Sequence, residues 1–314
     1  MSHPENERRF DRGAWLTLAA AVVLLLWPLT LSIIFAGIPS DGWASYSLEG
    51  FYDGPFIMNY SLTGQPTPLQ TGDVVVAIDG QPLTKGQPTT LPQPLVAGEI
   101  ADYTIERNGQ TLEVAIPLVQ IGLRAYGAIW LHDPLKSVGT LVTLVIAAAV
   151  FFLRPRSAAA RFMLIAFTYL AGNAILDIVG NPFVYALSPA AIFLAQFYQT
   201  GYAWAQMPSL ICLVLVFPVY LPPMQRFPRA LPMLLYTVPF VMMALSVPRY
   251  PATAQTELQS LFGAGTFISF IFLTAVVTFG AIVYNLRTVK DPATLAQVRW
   301  MIFGLGIGTG LTLI

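Results

Sequence analysis

The sequence predicts a polytopic α-helical membrane protein with about seven spans, the last one truncated, and a β-rich domain inserted after the first span. The first observation is composition: 55% of the 314 residues are hydrophobic and 10% are charged, whereas soluble domains carry about 25% charged residues. The second is a series of apolar runs, most of them near the roughly 20 residues that a helix needs to cross a bilayer. The third is one polar stretch whose apolar residues alternate, as in a β-strand.

The first elements follow from the order of polar and apolar stretches. Residues 1–13 form a polar N-terminus, and residues 14–36 form an apolar run too long for a signal-peptide core, which favours a retained transmembrane helix. Residues 40–120 interrupt the hydrophobicity and are assigned to the β-rich domain. Residues 134–314 are assigned to a multi-helix membrane block, with apolar segments near 137–153, 162–179, 190–217, 231–247, 261–286 and 301–314.

The β-rich domain is predicted from one strand and one hairpin. Val74, Val76 and Ile78 share one face at the two-residue period of a strand, and Asp79-Gly80 is a turn signal. Downstream, the alternating residues of Tyr103–Ile116 surround Asn108-Gly109, which is typical of a β-hairpin.

The distribution of charge predicts the orientation. Eleven of the sixteen Lys and Arg residues lie in the N-terminus or in three connectors between apolar segments. With a cytoplasmic N-terminus, the positive-inside rule places all eleven in the cytoplasm and the β-rich domain outside. Residues 37–136 hold ten acidic and four basic residues. The formal net charge of zero argues against a nucleic-acid partner.

The last residues of the sequence and the absence of catalytic motifs lead to two further predictions. The chain stops inside an apolar segment, which predicts a fragment of a longer protein. It contains no H-E-x-x-H zinc motif and only two histidines, His3 and His132, of which His132 is interpreted as an interfacial residue. We therefore predict no catalytic residue and no metal site within these residues.

Polar residues inside predicted spans are the candidate ligand-binding groups, because burying them in lipid is costly. Asn173 and Asp177 are four residues apart and share one helix face. Gln196 and Gln199 share a face of the following segment. Two interpretations stay open: a ligand pocket that opens outward between these helices, or hydrogen bonds that only hold the helices together.

The stretch Gly72–Leu83 resembles the core strand of bacterial PDZ domains, in which G-D-x-I-x-x-I-D/N-G recurs. The matching core and turn positions are Gly72, Asp73, Ile78 and Gly80. The hairpin Tyr103–Ile116 looks like the last strand pair of the same fold. The resemblance implies a PDZ-like domain, extracytoplasmic in this chain.

The arrangement of one helix, an external PDZ-like domain and a helical block is similar to the N-terminal sensory region of PDZ-containing bacterial sensor histidine kinases, such as competence-pheromone receptor kinases. The stretch Leu295–Gly304 resembles the Q-x-R-W-x-x-x-G entry into a late membrane helix of that family, and the connector from Arg154 to Phe162 resembles its short internal loop. The resemblance implies an input region in the bacterial inner membrane.

Several further expectations follow from this resemblance. The region would detect an extracellular peptide or lipidic ligand, contact membrane lipid and form a homodimer. ATP and Mg²⁺ are expected only for a kinase domain beyond residue 314. The alternative from a different class is a transporter or channel subunit with an external recruiting domain.

Overall fold

The computed structural model describes residues 10–37, 39–47, 56–83, 96–120, 122, 127, 134–176, 194, 197–198, 201–246 and 257–299. The first helix, α1, spans Arg12–Ala36. Asp11 precedes it and caps it, because the Asp11 carboxylate accepts a hydrogen bond from the Ala14 amide at 2.7 Å. Beyond Arg12 this helix contains no charged residue, which suits an apolar environment.

The β domain, residues 39–120, follows α1. Its strands are β1 (Pro39–Ser40), β2 (Trp43–Ser47), β3 (Phe56–Ser61), β4 (Val74–Ile78), β5 (Gln81–Pro82), β6 (Ile100–Arg107), β7 (Gln110–Pro117) and β8 (Val119–Gln120). All described pairings are antiparallel. Strands β2-β3-β4-β6-β7 lie side by side in that order, and β5 pairs with β4.

The predicted hairpin is confirmed. Strands β6 and β7 pair from Ile100↔Pro117 to Arg107↔Gln110. Asn108 and Gly109 at the turn have φ angles of 53° and 76°, the left-handed conformation that a two-residue hairpin turn requires.

The predicted faces of β4 are wrong in part. The register with β6 shifts between Val75 and Ala77, which marks a β-bulge at Val76. Because a bulge inserts one extra residue, the alternation changes phase at that point. Val75 and Ile78 are therefore both completely buried, while Val74 and Val76 are only half-buried.

One apolar core holds the β domain together. Ile78 packs there with aromatic and aliphatic side chains from β2, β3, β6 and β7, and the largest of these are Trp43, Phe56, Met58, Tyr103, Ile105 and Ile116.

The helical block follows the β domain. Its described helices are α2 (Pro134–Leu153), α3 (Ala158–Leu176), a π-helix (Tyr202–Gln206), α4 (Met207–Val216), α5 (Pro222–Arg226), α6 (Ala230–Ser246) and α7 (Glu257–Thr288). A further helix covers 292–299.

The prediction of about seven spans is wrong for the part of the chain that the structure describes. Three helices are long and apolar enough to cross a membrane, namely Arg12–Ile34, Ala158–Ile175 and Ile271–Thr288, and three shorter apolar helices are Ser137–Leu153, Trp204–Val216 and Ala230–Met242. An apolar run can be longer than the helix it contains. Within the predicted segment 190–217, the described stretch 201–216 is one continuous helical stretch, in which the π-helix runs directly into α4, and it ends before the extended residue Phe217. The predicted segment 301–314 lies outside the described residues.

The described part of the chain is therefore largely helical, carries a sizeable β-sheet and has three helices that are long and apolar enough to cross a membrane. Large apolar side chains point outward from its helices, for example Phe272 and Phe279 of α7, at 69% and 70% exposure. Such a surface requires an apolar surrounding.

The basic connectors of the helical block converge at one end, which we call the basic end. Arg161 of α3 forms an ion pair with Asp11 at 2.6 Å, and its hydrogen bond holds the pKa of Asp11 below the usual range. Ala158 of α3 packs in one cluster with Met224 of α5 and Ala281 of α7. The described basic residues in these connectors and helix ends are Arg12, Arg154, Arg156, Arg161, Arg226, Arg229, Arg287, Lys290 and Arg299.

Candidate functional site

Three of the four residues predicted from the PDZ resemblance shape the backbone around β4 or fill the core of the β domain. Gly72 and Gly80 have φ angles of 90° and 72°, which favour glycine, and both flank β4. Ile78 lies in the core.

Asp73 is the fourth of these residues; its side chain is buried and forms an ion pair with Arg107, which is partly exposed. Its Oδ1 accepts a hydrogen bond from Arg107 Nε at 2.7 Å, and its Oδ2 accepts one from Arg107 Nη2 at 2.6 Å. The Gln70 amide also donates to Oδ2 at 2.7 Å, and Arg107 donates to the Pro68 carbonyl at 2.8 Å. This pair ties the loop before β4 to the end of β6.

Asn173 lies beside a group of stacked rings in the helical block. We call this group the aromatic node; it consists of Trp27, Tyr169, Phe197, Tyr198, Trp204 and Phe240. The Tyr169 hydroxyl lies 3.5 Å from Asn173 Oδ1 and 3.2 Å from the Tyr198 carbonyl oxygen. The rings of Tyr169 and Tyr198 stack at 5.3 Å.

The structure thus places one predicted ligand-binding residue, Asn173, near Tyr198 of the following apolar segment, through the hydroxyl of Tyr169. Gln196 and Gln199 flank Phe197 and Tyr198 in sequence, but they lie outside the described residues, as does Asp177. Tyr169 and Tyr198 are in contact, but this contact does not involve the predicted glutamines, so the pocket and the purely structural role both stay predictions.

A proline in α1 explains the position of Tyr198. Pro28 has no amide hydrogen, so the carbonyl of Leu24, four residues earlier, lacks its helical donor. The buried Tyr198 hydroxyl donates to this oxygen at 2.7 Å. In an apolar surrounding a neighbouring helix must satisfy such a carbonyl, and here Tyr198 does so.

Two further features make the aromatic node unusual. The buried Trp27 Nε1 has no hydrogen-bond partner among the described residues, which is costly in an apolar surrounding. The π-helix Tyr202–Gln206 begins four residues after Tyr198 and contains Trp204, whose ring stacks on Phe197 at 5.3 Å. Single π-turns occur frequently at functional sites.

A second candidate region, the junction, joins the β domain to α1. Strands β1 and β8 pair with each other, Pro39 with Gln120 and Ser40 with Val119, as a separate two-stranded ribbon. The Gly122 amide donates to the carbonyl of Ala36, the last residue of α1, at 3.4 Å. The chain therefore enters and leaves the β domain through one paired ribbon.

Asp41 is buried directly beside this ribbon, at 1% exposure. Its Oδ1 accepts hydrogen bonds from the Trp43 amide at 2.9 Å and from Ser40 Oγ at 3.4 Å. The Tyr103 hydroxyl donates to Oδ2 at 3.0 Å. Burial raises the pKa of Asp41 to about 6, although these hydrogen bonds act in the opposite direction.

Sequence reasoning did not identify Asp41 as a functional residue. The local signal, Ser40-Asp41-Gly42, is that of an ordinary turn, which is normally exposed. Its burial arises from Tyr103, which is 62 residues away in sequence. No pattern within a short window reports such a contact.

The described residues include no group of three or more His, Cys, Asp or Glu side chains that could hold a metal ion. His3 and His132 lie outside those residues.

Comparison of the chain with protein-family models, with curated proteins and with solved structures found no match. The likeness to PDZ domains and to sensor kinases therefore depends on the short motifs alone.

Proposed function

We propose that this chain is the signal-sensing input region of a bacterial two-component sensor histidine kinase. In this proposal the state of the β domain passes through the β1–β8 ribbon to α1 and from there to the basic end. The observation that carries the proposal is the junction. Because both connections of the β domain pass through one ribbon, and because Gly122 bonds the last turn of α1, a shift of the domain acts directly on that helix.

The orientation in the membrane is part of the proposal. Helix α1 begins at the basic end and leads to the β domain. Basic residues are enriched on the cytoplasmic side of membrane proteins. We therefore place the basic end in the cytoplasm and the β domain outside the inner membrane.

The proposed signal is an extracellular peptide or a lipidic ligand, and the aromatic node with Asn173 is the proposed site in the helical block. A ligand changes the balance of two arrangements only if it binds one of them better. The indole N–H of Trp27 has no hydrogen-bond partner among the described residues, and the π-helix lies in the same group of side chains. At these two features the ligand-bound and ligand-free arrangements of the helical block would differ in hydrogen bonding. We further propose a homodimer in contact with membrane lipid, with ATP and Mg²⁺ used only by a cytoplasmic kinase domain.

A second candidate function is a transporter or channel subunit. The π-helix, together with Pro28 in α1 and Pro239 in α6, favours it, because irregular backbone at membrane depth usually lines a cavity. This candidate requires solute flux across vesicles that contain the protein, which a signal relay does not produce.

The relay is tested with Gly42→Ala, studied by hydrogen exchange on the full chain in lipid nanodiscs. Gly42 has a φ of 77°, and an added Cβ would lie 3.1 Å from Val119 Cγ2 in β8. We expect the ribbon amides to lose protection several-fold, because the new methyl group pushes Val119 away. If the relay exists, protection also changes at the basic end, in the connector 154–161.

Gly64→Ala is the matched control. Gly64 has a similar φ of 66°, but an added Cβ would meet nothing within 4 Å. This variant carries the same kind of backbone strain without touching the ribbon, so both regions should exchange as in the wild type. A loosened ribbon in Gly42→Ala with unchanged exchange at 154–161 would show that the junction does not transmit.

A further inference from the structure

The Asp41 carboxyl group is surrounded by neutral partners. Its described hydrogen-bond donors are a backbone amide and the hydroxyls of Ser40 and Tyr103. One of these donors, Ser40, belongs to β1 of the ribbon, and the other hydroxyl comes from the core strand β6. The carboxyl group therefore connects the ribbon to the sheet.

The charged groups near Asp41 do not compensate its charge. From β6 the facing titratable group is Tyr103, whose other acidic neighbour is Asp79, also negative when ionised. From β8, the apolar side chain of Val119 lies beside Gly42, the residue after Asp41. Among the described residues, Arg107 is engaged by Asp73, and no Lys or Arg bonds Asp41.

We propose that Asp41 is a proton-binding site that controls how tightly the ribbon is attached to the β domain. The carboxylate takes one proton from solvent and becomes neutral, which suits its buried position. When it loses that proton, the buried negative charge has no counterion among the described residues and attracts water. Water can reach it only by displacing its neighbours, and one of these, Ser40, is part of the ribbon.

The direction of the pH effect follows from the difference between the pKa of Asp41 in the folded chain and in the unfolded chain. Burial raises the pKa of Asp41 in the folded chain to about 6, compared with about 3.9 for an exposed aspartate. The protonated form therefore favours the closed junction. The stabilisation that protonated Asp41 gives to the closed junction is complete below about pH 3.9, the pKa of an exposed aspartate. It is lost as the pH rises through about 6, the pKa of Asp41 in the folded chain.

The test is hydrogen exchange of the full chain in lipid nanodiscs between pH 5 and pH 7.5, expressed as protection factors so that the intrinsic pH dependence cancels. We expect the ribbon amides to lose protection about tenfold over this range, with a midpoint near 6. Asp41→Asn, which stays neutral, should remove the pH dependence. Asp79→Asn is the control and should keep it, because Asp79 bonds the Asp102 amide instead of the ribbon.

If Asp41→Asn does not fold, Tyr103→Phe provides a second test of the pH dependence at the ribbon. This variant removes a donor that stabilises the carboxylate, so the midpoint should move to higher pH. A wild type without pH dependence, an Asp41→Asn variant that titrates like the wild type, or a Tyr103→Phe midpoint that is unchanged or lower would each overturn the proposal.

Whether protonation of Asp41 affects signalling depends on the proposed relay from the ribbon to the basic end. The same experiment tests the proton-binding site and the relay separately. A pH response in the ribbon without one in the connector 154–161 would support the proton site and contradict the relay. A pH response in both would support both.

Discussion

Two buried aspartates of the β domain have opposite surroundings. Asp73 faces the guanidinium group of Arg107 at 2.6 Å, so its negative charge is compensated. Among the described residues, Asp41 receives hydrogen bonds from neutral groups only, so none of them compensates its charge. This difference assigns a structural role to Asp73 and a titratable one to Asp41.

Asp73→Asn should destabilise the β domain by about 2 kcal/mol, which is less than the roughly 3–5 kcal/mol that breaking a fully buried pair costs, because Arg107 is partly exposed. The amide cannot reproduce the bidentate pair with Arg107. Local unfolding free energies from hydrogen exchange of β4 and β6 measure the loss. Glu113→Gln, on the exposed surface of β7, is the control and should change little. Equal effects of the two changes would contradict the structural role of Asp73.

Among the helices, the contact between α1 and α3 depends on a close approach at Gly172. A Cβ at this position would collide with Tyr198 Oη and lie 2.7 Å from the Leu24 carbonyl oxygen. Glycine therefore allows Tyr198 to reach the carbonyl that Pro28 leaves free. One glycine, one proline and one tyrosine from three parts of the chain form a single contact.

Gly172→Ala should weaken the helical block by about 1–3 kcal/mol, the usual cost of overpacking. The measurement is denaturant-induced unfolding of the full chain in detergent micelles. Gly280→Ala is the matched control, because Gly280 also lies inside a helix but an added Cβ meets nothing within 4 Å. That variant should be as stable as the wild type or slightly more stable, since alanine favours helices. Equal destabilisation by both changes would place the cause outside the Tyr198 contact.

The whole molecule has two chemically different ends. The basic connectors meet at one end, where Ala158, Met224 and Ala281 pack together. The β domain is attached to the opposite end of α1, beyond Ala36. Between them, exposed apolar side chains such as Phe279 suit contact with lipid tails.

Introduced cysteines test the proposed orientation. A membrane-impermeant thiol reagent should label E113C, in the β domain, in intact spheroplasts. It should label Q225C, at the basic end, only after the membrane is opened. The buried native Cys212 should stay unlabelled in the wild type, which is the control. The reverse pattern would show that the basic end faces outward.

Local patterns predicted the hairpin and the turn after β4, because Asn108-Gly109 and Asp79-Gly80 determine the backbone conformation within a few residues. They did not predict the bulge at Val76, since a bulge depends on the partner strand. They also did not predict the π-helix within the apolar segment 190–217, because hydrophobicity does not report the spacing of helical hydrogen bonds.

The sequence by itself determined that the chain is apolar enough for a membrane, that its basic residues cluster between apolar segments, and that a β-rich domain interrupts them. These properties follow from composition and short-range order. Only the tertiary structure decided that three described helices are long enough to span, that Tyr198 bonds Leu24, and that Asp41 is buried by Tyr103. Each of these depends on residues far apart in the chain, whose meeting is controlled by packing.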